Sequence, residues 1–493
     1  MRKRAASRTN VRYRSRSSLA VLLIVWMVAA CGSQNPLWPA ETPPLPADRL
    51  LRGWRHISEK PGSDRSSPLT LDQTIDEALR ASPELEQIRQ RIDAAGEQVR
   101  QVEASFYPRL ILGETFNTTD NPVYALMNII NQRRLQPDVN FNKPGRQQNF
   151  STQAAVQWSL FEGGGRFANR SAALYDRESV ASDLLAARNR LVGTVTATYY
   201  HWLQALDFIG VAERSLKSAE TDEQLGEARY RAEMALPSEV ARLKARTAAV
   251  RGNLVTARTG ARRLQAALER LLARPIEPDE VPHPPFEVES EPTEPPAETS
   301  DGLVRQALIR RPELAAVRAL IEAARGRVRA AQGELWPRLT SGAWYQWDSE
   351  NFSGSAESWM INLQATWSLF EGGMTLSKIH QARVQLKEIE ARGRQVALDI
   401  ALEVHQAALA VEEATEKVKV AAEQKKWAEK ALEEVRHQYR NQVVTVDALL
   451  QAAVAWNQAE ASYTAAVFDI RIARALLRKA LGDFYDWMGT GNG

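Results

Sequence analysis

A seven-residue segment, Trp-Ser-Leu-Phe-Glu-Gly-Gly, occurs twice without a change in this chain, at residues 158–164 and 367–373. The two occurrences lie 209 residues apart, and shorter matches with the same offset follow them. Upstream of them the offset is 229 residues, as between the Pro-Glu-Leu segments at 83–85 and 312–314. Such in-register matches indicate an internal duplication, in which the first copy carries an insertion of about 20 residues between positions 110 and 158.

Each copy begins with a segment of helical periodicity. In the first copy Thr70 and Gln73 have the spacing of a capping box. Apolar residues then recur every three or four positions to about Ser105, which predicts one helix over this segment. A proline follows in both copies, Pro108 and Pro337, at a position where a strand can begin but a helix cannot continue.

Two segments alternate between apolar and polar residues, one in each copy, at residues 150–160 and 359–369. This alternation, with a period of two residues, predicts β-strands. The strands of a soluble β-sandwich alternate in the same way and are the alternative to membrane strands. Two features favour a membrane barrel. The strands run to about ten residues, and aromatic residues eight positions apart would lie about 27 Å apart along a strand, close to the height of a membrane apolar band with an aromatic girdle at each edge. The candidate girdle residues are Phe150, Trp158, Trp359 and Trp367.

A long stretch without proline follows each Gly-Gly pair, from Gly165 to Leu236 in the first copy and throughout the second copy beyond position 373. About 70 helical residues would extend for about 100 Å. In the second copy, apolar or small residues occupy every seventh position from Ile379 to Val435. This pattern is typical of a coiled coil, so each long helix is expected to pack against partners along its length.

Each long helix is predicted to end in a tight reversal, at residues 234–238 and 441–446, followed by return helices to about Ala273 and Leu481. The residues at these two tips are Met234, Leu236, Pro237, Ser238, Val443, Val444 and Thr445. Repeated by symmetry, acidic residues near the tips would form charged rings at a narrow entrance. The alternative for these candidate entrance charges is an ordinary solvated helix end; they are Glu233, Glu239 and Asp447.

The first 30 residues have the composition of an export signal. Seven basic residues precede an apolar run of twelve residues, which is too short to span a bilayer as a helix. Cys31, the single cysteine, follows Val-Ala-Ala, which resembles the bacterial lipoprotein box with its acylated cysteine; an ordinary signal peptide that contains a cysteine is the alternative. Removal of the signal would remove seven of the 63 basic residues. The remaining 56 basic and 60 acidic residues give a net charge of −4, so the formal charge of +3 does not indicate nucleic acid as a partner.

These features divide the chain into six parts. Residues 275–298 hold eight prolines and eight acidic residues, a composition typical of an extended linker that does not pack. The predicted parts are a signal peptide (1–30), an extended tether (31–68), a first repeat (69–273), a Pro/Glu-rich linker (274–299), a second repeat (300–482) and a C-terminal tail (483–493).

The strands require assembly with other copies. Two repeats supply four membrane strands, and an open four-stranded sheet in lipid would leave unpaired backbone groups along both edges. Closure with further copies of the chain would give eight strands from two copies or twelve from three, and only the larger barrel is wide enough for an aqueous pore. The strand count alone does not choose between them.

The duplicated helix-strand-strand-helix-helix unit, the strand-ending Leu-Phe-Glu-Gly-Gly motif and the lipoprotein box resemble the TolC family of outer membrane efflux proteins. The resemblance implies a mainly α-helical fold with membrane β-strands: a trimeric twelve-stranded β-barrel continued by a periplasmic α-helical barrel. It also implies a passive duct in the outer membrane of a Gram-negative bacterium, carrying small molecules or proteins. The tip residues named above would form the candidate site for gating and partner contact. The tips would meet a periplasmic adaptor (membrane fusion) protein and an inner-membrane transporter of RND or ABC type.

Two features depart from the family pattern. The surplus of about 20 residues falls within positions 118–149 and is expected at the extracellular mouth. The tips also lack the glycine that the family would place near Ala232 and Asn441.

No pattern of catalytic or metal-binding residues is present. The six histidines are scattered without a His-Glu-x-x-His pair, and one cysteine cannot complete a metal cluster. The sequence therefore predicts neither an enzyme nor a cofactor. The alternative function is a periplasmic coiled-coil structural or adaptor lipoprotein without a pore, which would need no aromatic girdles.

Overall fold

The computed structural model describes residues 68–284, 286, 299–351 and 356–483. The predicted signal peptide, Cys31, nearly all of the tether, half of the linker and nearly all of the tail lie outside the described residues. In chain order the elements are α1 (Leu71–Ala81), α2 (Pro83–Ala104), β1 (Arg109–Thr119), α3 (Pro122–Asn131), β2 (Gln147–Glu162), α4 (Gly165–Arg231), α5 (Pro237–Leu272), a 3-10 turn (Pro278–Glu280), α6 (Ser300–Arg310), α7 (Pro312–Gly333), β3 (Arg338–Ser349), β4 (Ala356–Thr366), α8 (Met374–Arg440) and α9 (Val446–Leu481).

The first helical segment is divided at Pro83, so the prediction of a single helix to about residue 105 is wrong in this respect. Ser82 precedes the proline and is extended, with ψ 115°. The proline ring disfavours the helical region for the residue before it. Arg311 before Pro312 has the same conformation in the second copy, with ψ 122°, so both repeats begin with a short helix followed by a longer one.

Local sequence accounts for the helix starts. The predicted capping box is confirmed, because the Gln73 amide donates to Thr70 Oγ1 at 3.3 Å and the Thr70 amide donates to Gln73 Oε1 at 3.2 Å. The two long helices start after glycines in the left-handed region, Gly164 with φ 80° and Gly373 with φ 88°. Residues with a Cβ rarely adopt this conformation, so the repeated Gly-Gly pair is a strand-to-helix turn, as predicted.

The four strands form one antiparallel sheet in the order β1-β2-β3-β4. Strands β2 and β3, which come from different repeats, pair between Phe150–Ser349 and Glu162–Arg338, with an irregularity between Ser159 and Phe161. The strand predicted at 359–369 lies three residues earlier in the chain, since β4 runs from Ala356 to Thr366. β4 has only one neighbour in the sheet, whereas β2 is paired on both sides and continues to Glu162.

The long helices and their return helices confirm the predicted hairpins. Helices α4 and α8 each have 67 residues, and α5 and α9 each have 36. The predicted seven-residue row on α8 faces its neighbours, with Ile379, Ile400, Ala414 and Ala421 buried. Tertiary packing of this row stabilises a helix whose length exceeds what intrinsic propensity sustains alone.

Part of the predicted linker packs against the helices, which corrects the expectation that it cannot. Arg274 forms ion pairs with Glu77 at 2.6 Å and Glu280 at 2.7 Å. Ile276 is buried, and the ring of Phe286 lies 6.2 Å from that of Phe468. Proline excludes helix here, but it does not prevent apolar side chains of an extended segment from packing.

Two compact units make up the chain, and each draws on both repeats. Among the described residues, the sheet unit holds 105–162, 337–351 and 356–367, and the helical unit holds the remainder. The repeats are therefore not separate domains, because strands of both copies pair in one sheet and helices of both copies share buried clusters.

Candidate functional site

The sheet has one apolar and one polar face. Directly paired residues of antiparallel strands point to the same side, so the register assigns each residue to a face. The apolar face includes Leu112, Phe116, Phe150, Val156, Ile361 and Leu363. The polar face includes Asn117, Gln153, Gln157, Gln346, Asn362 and Gln364. A sheet with this division separates an apolar environment from a polar one.

Three of the four candidate girdle residues lie within strands, and all three are on the apolar face. Phe150 is near the start of β2, and its ring centroid lies 4.7 Å from that of Phe116. Trp158 is near the other end of the same strand, and its Nε1 donates to the Phe106 carbonyl at 2.9 Å. Trp359 is paired with Tyr345 across β3 and β4, and Trp367 follows the end of β4. The positions are compatible with two girdles, whose contact with lipid remains a prediction.

Both outer strands of the sheet present an open edge within the described chain. Strand β1 pairs only with β2, and β4 pairs only with β3. Nearly all residues of these two strands are exposed. An unpaired strand edge is a template for pairing with another chain, and in lipid it must be paired.

The insertion of the first repeat contains a helix, α3, that the sequence analysis missed. Its local signals are Asn121, whose side chain accepts from the Val123 amide at 3.1 Å, and Pro122 in the first turn. Asn128 Nδ2 donates to Asn117 Oδ1 at 2.7 Å. Gln132 Nε2 donates to Asn149 Oδ1 at 2.9 Å. Because Asn117 and Asn149 are paired on the polar face, α3 lies over that face at the ends of the strands.

The two helical tips use the same turn. Glu233 and Gln442 follow the ends of α4 and α8 and have φ values of 58° and 64°. The left-handed region that a glycine would favour is thus occupied by residues with side chains, at a cost of about 1 kcal/mol each. The next amides close the turns: Met234 donates to the Arg229 carbonyl at 2.8 Å and Val443 to the Gln438 carbonyl at 2.9 Å.

Most of the predicted tip residues are exposed. These are Met234, Leu236, Pro237, Ser238, Val443 and Thr445, whereas Val444 is half-buried. The tips of the two repeats touch, because Gln442 Nε2 lies 3.1 Å from Met234 Sδ. Thr445 also acts as a helix cap by accepting from the Ala448 amide at 3.5 Å.

Two of the candidate entrance charges have partners on other helices. Asp447 accepts from Arg242 Nη1 at 2.6 and 2.7 Å. Glu239 accepts from the hydroxyl of the buried Tyr439 at 3.4 Å. The Arg229 guanidinium lies 4.2 Å from the centroid of the Tyr439 ring. Burial raises the pKa of Tyr439, so it stays neutral. These contacts join the first hairpin to the second.

A buried ionic cluster lies further along the same hairpins, and the sequence analysis missed it. The fully buried Asp222 on α4 accepts from Arg246 on α5 at 3.0 Å and from Arg436 on α8 at 2.8 Å. Arg436 also donates to Ser218 Oγ at 2.8 Å. Burial lowers the pKa of Arg246, and the Asp222 charge opposes that shift. One carboxylate therefore joins three helices from both repeats.

A second ionic cluster joins the start of α7 to α8 and α9. Arg311 donates to Glu403 at 2.9 Å, and Lys479 lies 3.2 Å from the same carboxylate. Burial opposes ionisation of Glu403, but the charges of Arg311 and Lys479 outweigh it and lower the pKa of this carboxyl.

Helix α8 also carries an exposed apolar stripe. Its residues fall on one side of the helix at a period of 3.6 and are between half and two thirds exposed; they are Val384, Leu398, Leu402, Leu409, Val420 and Trp427. The stripe extends for about 65 Å at 1.5 Å per residue. An apolar row of this length indicates contact with another chain.

No group of metal-binding side chains is found within the described part of the chain. In that same part, every helix is either too short or too polar to be a membrane-spanning candidate.

The chain is similar in sequence to known outer membrane proteins. A profile of the family described as outer membrane efflux protein matches residues 74–274 and 303–483, well over half of the chain. The pyoverdine export outer membrane protein OpmQ of Pseudomonas aeruginosa is 26% identical over 344 residues, 67% of each chain. Protein CyaE of Bordetella pertussis is 28% identical over 341 residues, 67% of this chain and 66% of CyaE.

The fold is similar to that of the outer membrane channel CmeC of Campylobacter jejuni, with a TM-score of 0.72 at 15% identity, over 84% of this chain and 85% of CmeC. The two stretches matched by the family profile coincide with the two repeats. The fold class, the family resemblance and the outer membrane location inferred from the sequence are thereby confirmed. The chain belongs to the family of outer membrane efflux proteins.

Proposed function

We propose that this outer membrane efflux protein is a passive trimeric duct that conducts solutes from the periplasm to the exterior. The observation that carries the proposal is the two-faced sheet with two open edges. Its apolar face suits lipid, and its polar face suits a water-filled interior. Three copies supply twelve strands, which close every edge and leave an aqueous pore.

The exposed stripe on α8 supports the same assembly in the helical unit. A trimer covers the stripe on each copy with helices of the next copy. An apolar stripe about 65 Å long is thereby removed from water. Alanines at many buried helix positions, such as Ala414, Ala421 and Ala453, allow close approach between helices.

The helical tips are proposed as the periplasmic gate and the adaptor contact. Their exposed apolar residues offer a docking surface, whereas the Arg242–Asp447 pair and the Asp222 cluster hold the second hairpin against the first. Separation of the hairpins breaks these contacts and widens the entrance. A periplasmic adaptor that binds the tips supplies the free energy for this change, and an RND or ABC transporter in the inner membrane supplies the cargo.

The cargo is proposed to be water-soluble, because the polar face of the sheet is rich in Gln and Asn rather than apolar residues. OpmQ is a pyoverdine export protein by name, and this supports a small polar solute in preference to a folded protein. Acylation of Cys31 would add a lipid anchor to the barrel.

The first test is the mass of the full-length protein extracted from membranes in detergent. Light scattering should give three chains per particle, and these particles should form channels in planar bilayers. A monomer, or release from the membrane without detergent, would instead support the alternative of a periplasmic spacer.

The gate requires a second test. Leu236→Asp and Val444→Asp place charges at the tips and should weaken adaptor binding or raise channel conductance, with three chains per particle retained. Leu376→Asp, at an exposed α8 position near the N-terminus of that helix, is the matched control. Unchanged export and unchanged conductance in the tip variants would refute the assignment.

A further inference from the structure

Helix α3 has a partly polar side that is buried and an apolar side that is exposed. The side that contacts the sheet is partly polar and includes Ala125, Asn128 and Ile129. The opposite side is apolar and between 43% and 68% exposed, with Val123, Tyr124, Met127 and Ile130. Such a contiguous apolar face on a well-packed helix indicates a further contact.

The position of α3 is fixed by contacts to strands of both repeats. Gln132 Nε2 donates to the Gln148 carbonyl at 2.7 Å, and Arg133 Nη2 donates to the Glu357 carbonyl at 2.5 Å. Beneath the helix, Asn149 Nδ2 donates to Asp348 Oδ1 at 2.7 Å, and both of these side chains are buried. The insertion is therefore a helix tied across the polar face from β1 to β4, not a free loop.

The polar face is the interior face of the proposed barrel, so the apolar side of α3 points away from the wall towards the pore axis. Twelve strands spaced about 4.8 Å apart and tilted by about 40° give a backbone radius of about 12 Å. Three helices packed with about 9 Å between axes lie about 5 Å from a three-fold axis. Since a helix with its side chains has a radius of about 5 Å, such a trio reaches the axis.

We infer that the α3 helices of three copies pack together through Val123, Tyr124, Met127 and Ile130 and form a plug inside the barrel, at the strand ends over which α3 lies. The inference rests on the proposed trimeric barrel. The occupant of the apolar face is the same helix of a second copy, because a three-fold assembly brings three copies of this face towards one axis. Export then requires displacement of α3 as well as opening of the tips.

Cysteine cross-linking tests the contact. Met127→Cys in the full-length chain should form disulfide-linked dimers on mild oxidation in native membranes. Leu112→Cys, on the apolar face of β1, is the matched control and should remain monomeric, and the unaltered chain controls for Cys31. Light scattering of the same samples separates the two proposals: three chains per particle without Met127→Cys dimers would overturn the plug and leave the duct standing.

Two labelling outcomes would also overturn the plug. One is rapid reaction of Met127→Cys with a bulky water-soluble maleimide added outside the cell. The other is reaction with a lipid-soluble maleimide only, which would place the apolar side in the membrane.

Conductance gives an independent test. Val123→Asp with Met127→Asp should separate the helices by charge repulsion. In a background whose tips are opened by Asp222→Asn, these changes should raise single-channel conductance several-fold over the background alone. An unchanged conductance would contradict the inference.

Discussion

The buried Asp222 allows the contribution of one carboxylate to the closed tips to be measured. Asp222→Asn keeps the shape of the side chain and removes the charge that balances Arg246 and Arg436. Asp222 is fully buried, and its partner on the second hairpin, Arg436, has a side chain that is only 23% exposed. Loss of one partner from a buried ion pair costs about 3 to 5 kcal/mol, and a cost of about 3 kcal/mol raises the population of separated hairpins about 150-fold.

Hydrogen exchange in detergent is the assay for Asp222→Asn. Amides near the tips, at residues 222–246 and 436–449, should exchange about 100-fold faster, and channel conductance should increase. Glu213→Gln is the matched control. Glu213 on α4 pairs with Arg258 on α5 at 2.9 Å, but both side chains are more than half exposed. An exposed pair contributes about 0 to 1 kcal/mol. Equal exchange rates in the two variants would refute the reasoning.

Three further predictions concern stability and anchoring. A Cβ on Gly163 would lie 2.0 Å from the Gly333 carbonyl oxygen, whereas one on Gly372 would meet no atom within 4 Å, although the φ values are 59° and 61°. Gly372→Ala should therefore cost about 1 kcal/mol, and Gly163→Ala should lower the unfolding temperature several times more; equal shifts would contradict this. Glu403 has a folded pKa below its ordinary value of 4.5, so its contribution to stability is present above that pH and is lost as the pH falls through the folded pKa. Glu403→Gln should thus lower the unfolding temperature more at pH 7 than at an acid pH where Glu403 is protonated in the folded state, and a pH-independent difference would be the contrary result. Cys31→Ser should abolish acylation in mass spectrometry and retain three chains per particle, since strands rather than one acyl chain hold the protein in the membrane.

Most of the architecture follows from local sequence patterns. The repeated Gly-Gly turn at Gly164 and Gly373, the periods of the strands and the long proline-free helices each depend on residues close together in the chain. The tips at Glu233 and Gln442 could be located because a break in helical periodicity is also local. The division at Pro83 was readable in principle, since proline acts on the residue directly before it.

Other features depend on which residues tertiary packing brings together. Asp222 resembles any other charge on a helix surface, and only the packing of α4 against α5 and α8 buries it between two arginines. The position of α3 depends on Asn128 meeting Asn117 and on Gln132 meeting Asn149. Hydrogen-bonding capacity is common to all Asn and Gln residues, so the sequence does not specify which of them will meet.

The sequence by itself determined the duplication, the four strands, the two long hairpins and the division of two strands into an apolar and a polar side, because periodicity records which side of a local element is buried. The tertiary structure decided that strands of both repeats share one sheet, that α3 lies over its polar face and that a single carboxylate joins three helices of both hairpins. Those outcomes depend on contacts between residues up to 224 positions apart, whose free energy is set by geometry and desolvation rather than by local pattern.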